Sequence, residues 1–304
     1  MRAVLAVLFA LSAGAAQAAD ATLAQANYPE GALWHDGRLF YEEMADDIVR
    51  VSDLKTRRTF WRKQGCGPVN IAPYRDDEYL VLCHLAHAVV RVSRKGQTIA
   101  VIERDANGAP FVYPNGAGAD GEGGVYFSSA GTFALNAPAT GAVLYLARDG
   151  TLTRVAEGIR YANGVAVDAK RKRVLVSAHL ARQVLSLPIV KPGVLGERSV
   201  FFDLAANGID VPYPLAGPDG LEVDEGGHVV VAEYGAGRLH RIAPDGTWLG
   251  SFGGVGRFVT DVALLPKGRA AITAPDVNDR APYPGSVLLR DRFSERFVRV
   301  QAPP

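Results

Sequence analysis

The sequence predicts an all-β protein, a six-bladed β-propeller of four-stranded antiparallel blades, and three observations carry that expectation. A short pattern restarts six times along the chain. Each copy reads as a strand, a polar or Gly-rich turn and a second strand, which is a β-hairpin. Copies begin roughly forty to fifty-five residues apart, about the length of a propeller blade. A β-sandwich or a pair of small β domains would need strands, but not a repeat restarting with a polar residue and Gly.

The first copy is Glu30-Gly31-Ala32-Leu33-Trp34, with the turn His35-Asp36-Gly37 and the return Leu39-Phe40-Tyr41. The second and weakest starts near Val69-Asn70-Ile71 and returns as Tyr79 to Leu82. Asn115-Gly116 opens the third, which returns at Val125-Tyr126-Phe127, and Asn163-Gly164 the fourth, which returns at Val174-Leu175-Val176. Asp219-Gly220 opens the fifth, returning at Val229-Val230-Val231, and Thr260-Asp261 the sixth, returning at Ala270-Ala271-Ile272. Further strand-like runs after each hairpin, such as Ile48 to Val51 and Leu239 to Ile242, supply the outer strands. Closure of the ring is left open: Val287-Leu288-Leu289 and Phe297 to Val300 complete the sixth blade unaided, or Thr22 to Ala26 assists. The long Ala-, Gly- and Pro-rich connection from Asp203 to Pro218 is either a lid over the tunnel mouth or a neutral insertion.

Residues 1–18 read as a secretory signal peptide: Arg2, an uncharged run from Ala3 to Ala16, and the small-x-small site Ala16-Gln17-Ala18. The expected domain is therefore a single propeller over residues 19–304, exported to the periplasm or secreted. Of 33 Lys and Arg and 32 Asp and Glu, only Arg2 is removed with that segment, leaving 32 of each sign. A neutral chain has nothing to attract nucleic acid or an anionic membrane. No internal stretch is long and uncharged enough to span a bilayer, and no protein partner is evident. An oxidising compartment permits Cys66 and Cys83 to pair, but two separate buried thiols fit the sequence equally well.

The innermost strand of each propeller blade lines the central tunnel, so equivalent positions form a ring. That ring reads Glu30, Val69 or Asn70, Asn115, Asn163, Asp219 and Thr260. Two carboxylates and two amides present oxygen only, which suits a hard divalent cation, most simply Ca²⁺ with Mg²⁺ as the near alternative. Zinc prefers nitrogen and sulfur, which the ring lacks; Mn²⁺ and Zn²⁺ are expected at most as substitutes in vitro. The Gly after four of these residues is expected to let the backbone turn sharply and to leave room beside the ligand.

On these residues the chain resembles the senescence marker protein / gluconolactonase / luciferin-regenerating enzyme family of regucalcin-like propellers. The carrying segments are Pro29-Glu30-Gly31, Pro114-Asn115-Gly116, Ala162-Asn163-Gly164-Val165 and Gly217-Pro218-Asp219-Gly220-Leu221-Glu222-Val223-Asp224, the last being the most specific. The resemblance implies a metal held by Glu30, Asn163 and Asp219, with Asn115 reaching the ion or the substrate, and hydrolysis of a lactone or related ester. The chain departs from the family in three places. Gly116 stands where Asp is frequent, Tyr113 where Arg is frequent, and Ala178-His179 where Asp-Ser is frequent. The pocket wall is thus rebuilt.

In the expected reaction the cation polarises the substrate carbonyl, water attacks, and Asp219 is the general base, with Glu233 and His179 as alternates. His84, His179, Glu233 and Tyr113 are candidates to touch substrate along with Asn115, with Tyr161 flanking the pocket. No G-x-S-x-G elbow and no phosphate-cradling loop is present. The competing reading is a non-catalytic propeller that binds a ligand or partner around a structural calcium ion. A condensing propeller of the strictosidine-synthase kind would not call for the carboxylate ring.

Overall fold

The computed structural model describes residues 20–299; the expected signal peptide lies outside them. Six antiparallel sheets follow one another along the chain, as the repeat predicts. Their innermost strands are Pro29–His35, Pro68–Tyr74, Pro114–Ala119, Ala162–Asp168, Gly217–Val223 and Asp261–Leu265. Second strands follow at Arg38–Glu43, Glu78–Cys83, Val125–Ser129, Arg173–Ala178, Val229–Tyr234 and Arg269–Pro275. The fourth blade is widened by a short added strand, Val194–Leu195, which pairs with the far end of the third strand Gln183–Lys191, while the outer strand Ser199–Asp203 pairs with its near end. Among the described residues no helix is long and apolar enough to cross a membrane.

Apolar side chains of neighbouring sheets interdigitate between the blades. Phe40, Val49 and Trp61 of the first blade pack with Ile71, Tyr79 and Val81 of the second, and comparable clusters fill the other seams. The second strands therefore bury both faces, one against each neighbouring blade, which explains continuous apolar runs such as Val229-Val230-Val231, whereas outermost strands such as Thr98–Ile102 are largely exposed.

The ring is closed by the N-terminal segment. Ala21–Asn27 pairs antiparallel with Pro284–Arg290 and supplies the outermost strand of the sixth blade. Of the two C-terminal runs, the one around Leu288 belongs to that blade, whereas Val298 bridges Ser251 on the fifth. The propeller thus interlocks its two ends instead of finishing on its own last strands. Cys66 and Cys83 form a disulfide, which decides between the two readings the sequence left open.

The polar-Gly pairs have a physical reason different in part from the expected one. In the first, third, fourth and fifth blades the register between inner and second strands slips at that pair, between Pro29 and Ala32, Pro114 and Ala117, Ala162 and Val165, and Pro218 and Leu221. A bulge of this kind re-aims a side chain, and here it turns the ring residue toward the axis. None of the four glycines adopts a positive φ, so a sharp turn is not what they provide. They permit close approach. A Cβ on Gly116 would lie 2.5 Å from the Asn163 carbonyl oxygen, and one on Gly164 would lie 2.3 Å from that of Asp219. Successive inner strands meet backbone to backbone around the tunnel.

Candidate functional site

The ring assembles at one end of the tunnel. Glu30, Val69, Asn115, Asn163 and Asp219 line a single cavity of about 170 Å³. The second blade contributes Val69, and Asn70 faces the opposite half of the tunnel. Thr260 does not line the cavity; its hydroxyl donates to the carbonyl oxygens of Pro29 (3.0 Å) and Glu30 (3.2 Å), sewing the sixth blade to the first.

Around the ring stand residues at or just beyond the ends of the second strands: Met44, His84, Phe133, His179 and Tyr234. Tyr28 and Tyr161 complete the wall, each two residues ahead of a ring position and each in the left-handed region (φ 51° and 58°). Phe133 packs on Tyr161 (centroids 4.7 Å apart) and meets His179 edge-on at 5.2 Å. The Tyr28 and Tyr234 hydroxyls lie 3.4 Å apart, and Asn278 donates to Tyr234 at 2.7 Å. Among the described residues no Lys or Arg lines this cavity.

The electrostatics are those of a site short of positive charge. Burial, and then the neighbouring carboxylate of Asp219, raises the Glu30 carboxyl well above the usual range; burial and Asp261 do the same to Asp219. A hydrogen bond from Asn163 partly opposes the rise at Asp219. The Asn163 oxygen Oδ1 is buried without a partner. An orphaned amide oxygen beside two crowded carboxylates is what a hard cation would satisfy, so the residues present fit the divalent ion expected from the ring. Among the described residues no three His, Cys, Asp or Glu side chains converge as a metal set, so the fit depends on the amides of Asn115 and Asn163.

The remaining candidates divide. His84 lines the cavity; its Nδ1 is 3.2 Å from the Pro114 carbonyl oxygen, and burial pushes the ring down to about 4. His179 also lines it and is likewise held neutral by burial, at about 4, but both ring nitrogens are engaged, with Asn163 Nδ2 at 3.2 Å and the Leu215 carbonyl oxygen at 2.9 Å. Its nitrogens are therefore not free to serve as a base or to bind substrate.

Glu233 does not reach the cavity. Its carboxylate is buried between blades against Arg238 and His240. Successive side chains of a strand face opposite ways, so it is the next residue, Tyr234, that lines the cavity. Tyr113 is likewise absent from the wall, held between the rings of His84 (4.8 Å) and His87 (4.4 Å). The Asp203 to Pro218 connection contributes no lining residue and is anchored at the rim, where Arg182 donates to Pro214 and His179 to Leu215. It is no open lid.

Sequence reasoning missed Tyr28, Met44, Phe133 and Tyr234. Tyr28 had a signal, since Tyr28-Pro29-Glu30 matches Tyr113-Pro114-Asn115 position for position. Also missed is a buried carboxyl just inside the ring: Glu42 is 0 % exposed and neither of its oxygens has a partner.

Residues 28–274 match the model of the SMP-30/Gluconolactonase/LRE-like region. A pentonolactonase, XacC of Haloferax volcanii, is 31% identical over 127 residues, 41% of this chain and 41% of that protein, so the match spans about two fifths of the curated relative. A gluconolactonase of Xanthomonas campestris superposes with a TM-score of 0.72 at 21% identity, covering 91% of this chain and 90% of the other. A calcium-binding protein, regucalcin, of Agrobacterium tumefaciens gives 0.71 at 16% identity, covering 91% and 96%. At these identities the two structures speak for the fold alone, while the family model covers most of the chain: this propeller belongs to the SMP-30/gluconolactonase/LRE-like family.

Proposed function

We propose that this chain is an exported, divalent-cation-dependent hydrolase of small, uncharged lactones or related cyclic esters. The observation that carries the proposal is the convergence of Glu30, Asn115, Asn163 and Asp219 on one cavity, with the Asn163 oxygen unpartnered. The printed names of the relatives, pentonolactonase and gluconolactonase, support the reaction class. The Cys66–Cys83 disulfide supports an oxidising compartment, in keeping with the leader read in residues 1–18.

Glu30, Asn163 and Asp219 would hold the cation, most simply Ca²⁺, with Asn115 beside it. When bound, that ion supplies Lewis-acid polarisation of the substrate carbonyl. Asp219 accepts the proton of the attacking water and returns it to the departing ring oxygen. One C–O bond forms and one breaks, and the product is the open-chain hydroxy acid. The aromatic wall of Phe133, Tyr161 and Tyr234 holds the ring and excludes bulk water.

The cavity also bears on the substrate. A volume of about 170 Å³ is close to that of an apolar cavity that takes up one benzene ring (about 150 Å³) and so suits a single-ring compound. With no Lys or Arg among the described residues of the wall, a phosphate or carboxylate on the substrate would have no counter-charge from them.

The test is a panel of uncharged and anionic lactones incubated with the purified chain, with and without chelator, while acid release is followed. Chelator-sensitive turnover that favours uncharged rings is expected. Melting lowered by chelator with no turnover on any lactone would instead make this a ligand-binding propeller.

A further inference from the structure

The orientation of the Asn163 amide is decided by a histidine outside the ring. His179 opens the short 3₁₀ turn after the second strand of the fourth blade and is 1 % exposed. Its Nε2 lies 2.9 Å from the carbonyl oxygen of Leu215. A carbonyl only accepts, so Nε2 carries the ring proton. In the buried neutral ring Nδ1 is then a bare lone pair, and it lies 3.2 Å from the amide nitrogen of Asn163. A lone pair requires a donor, so the NH₂ end of the amide faces His179 and the oxygen end is turned away from it. That oxygen is the buried Oδ1 without a partner.

The histidine is itself clamped. A Cβ on Gly217 would lie 2.2 Å from the His179 carbonyl oxygen and 3.0 Å from its Cδ2, so the glycine two residues ahead of Asp219 is what lets the strand pass. Leu215, which fixes the tautomer, belongs to the same run of chain. The ring thus joins the strand that carries Asn163 to the segment that delivers Asp219.

We infer that His179 is a positioning residue: through the chain Leu215 carbonyl–His179–Asn163 it holds the NH₂ end of the amide, which also donates to Asp219, and so leaves the amide oxygen unpartnered as a ligand for the cation. This rests on the cation reading above and goes beyond it, because the device is built from this chain's own residues outside the ring. Partners of this kind, one step behind a metal ligand, typically change affinity by about 10- to 100-fold when removed.

The experiment is calorimetric titration of Ca²⁺ into the purified chain, stripped with chelator, for the wild type, His179→Leu and His179→Asn. Leucine removes the acceptor. Asparagine can place its side-chain oxygen near the position of Nδ1 and keep it. The dissociation constant is expected to rise about 10- to 100-fold in His179→Leu and to stay within about threefold in His179→Asn. Melting of the cation-free proteins is expected to be alike for the two variants, since packing is perturbed in both. Wild-type affinity in His179→Leu, or equal losses in both variants, overturns the inference while leaving the cation site standing. Absence of Ca²⁺ binding by the wild type overturns the cation reading itself, and the positioning role with it.

Discussion

The tunnel has two halves of similar size and opposite character. The mouth is a cavity of about 170 Å³ walled by Tyr28, Phe133, Tyr161 and Tyr234, with two histidines and the ring carboxylates and amides. The other half encloses about 200 Å³, and its wall is largely Ala, Gly and Val from the inner strands, interrupted by Asn70, Glu222 and Asp261. Both ends contain carboxyls raised by burial, and Glu222 at the far end is pushed to about 8. Neither volume nor acidity therefore separates a site from a structural void. Three things do: an amide oxygen left without a partner, side chains large enough to grip a ring, and bulges that aim polar groups at one point. The inner strands also run close together along the far half, where a Cβ on Gly118 would lie 3.0 Å from the Val165 carbonyl oxygen.

The sharpest way to break this contrast is one carboxyl at each end. Asp219→Ala is expected to lower kcat/KM by more than about a thousandfold and to abolish Ca²⁺ binding, because it removes both a ligand and the base. Glu222→Gln, which neutralises a comparably perturbed carboxyl in the far half, is expected to leave kcat/KM within about twofold. Steady-state kinetics on the best lactone of the panel decide it. Equal losses in the two variants would mean that the ends are not functionally distinct.

The rims differ as well. The mouth is stapled by Cys66–Cys83, which encloses 17 residues of separation and sits beside His84. Paired replacement of both cysteines by alanine is expected to cost about 3 kcal/mol in unfolding free energy, the size associated with closing a loop of this length. Urea melts monitored by tryptophan fluorescence measure it. A loss below about 0.5 kcal/mol would show that the blade seam alone holds this rim.

How much of this was legible in the sequence follows from which signals repeat. The hairpins recur six times with turns between them, so the blade order and the inner strands could be read directly. Four of the ring residues were readable because a polar-Gly pair marks them, although the reason lies in bulges and backbone contact that no single copy reveals. Closure was not readable. Ala21–Asn27 is a plain seven-residue strand whose partner lies more than 250 residues away, and local pattern carries no information on pairing at that distance. The wall was half legible. His84 and His179 were found from their place after second strands, but Glu233 was preferred over Tyr234 because a carboxylate suggests chemistry, while strand alternation sends the neighbour inward. Phe133 lies in a loop with no repeat to flag it.

A smaller effect probes the layer just behind the ring. Burial pushes the Glu42 carboxyl up to about 8, with Asp261 adding to the rise, and burial pushes Asp261 to about 7. Both values lie above those of an unfolded chain, so the folded state binds these protons more tightly. The stability they contribute is complete below the ordinary carboxylate range and is lost as pH climbs through about 7 to 8. In chelator, the wild type is expected to melt lower at pH 8 than at pH 5. Glu42→Gln should shrink that drop by about 5 °C, at roughly 2–4 °C per kcal/mol for a chain somewhat smaller than this one. Identical pH slopes for the two proteins would show that Glu42 is not the group responsible.

The smallest expected effect separates two tyrosines that the repeat makes equivalent. Tyr113 and Tyr161 each stand two residues before a ring asparagine, with φ of 53° and 58°. The surroundings divide them: His84 and His87 trap Tyr113 outside the cavity, whereas Tyr161 packs on Phe133 and forms part of the wall. A hydrogen bond with Asn115 also reaches the Tyr161 hydroxyl, tying it to the ring. Removing that hydroxyl in Tyr161→Phe leaves the packing and frees the Asn115 amide, an effect expected at about three- to tenfold in kcat/KM, comparable to one hydrogen bond of about 1 kcal/mol. Tyr113→Phe changes no group that faces substrate and should stay within about twofold. If the order is reversed, the cavity wall lies on the His84–His87 side of the mouth, and the aromatic contacts of Phe133 are packing alone.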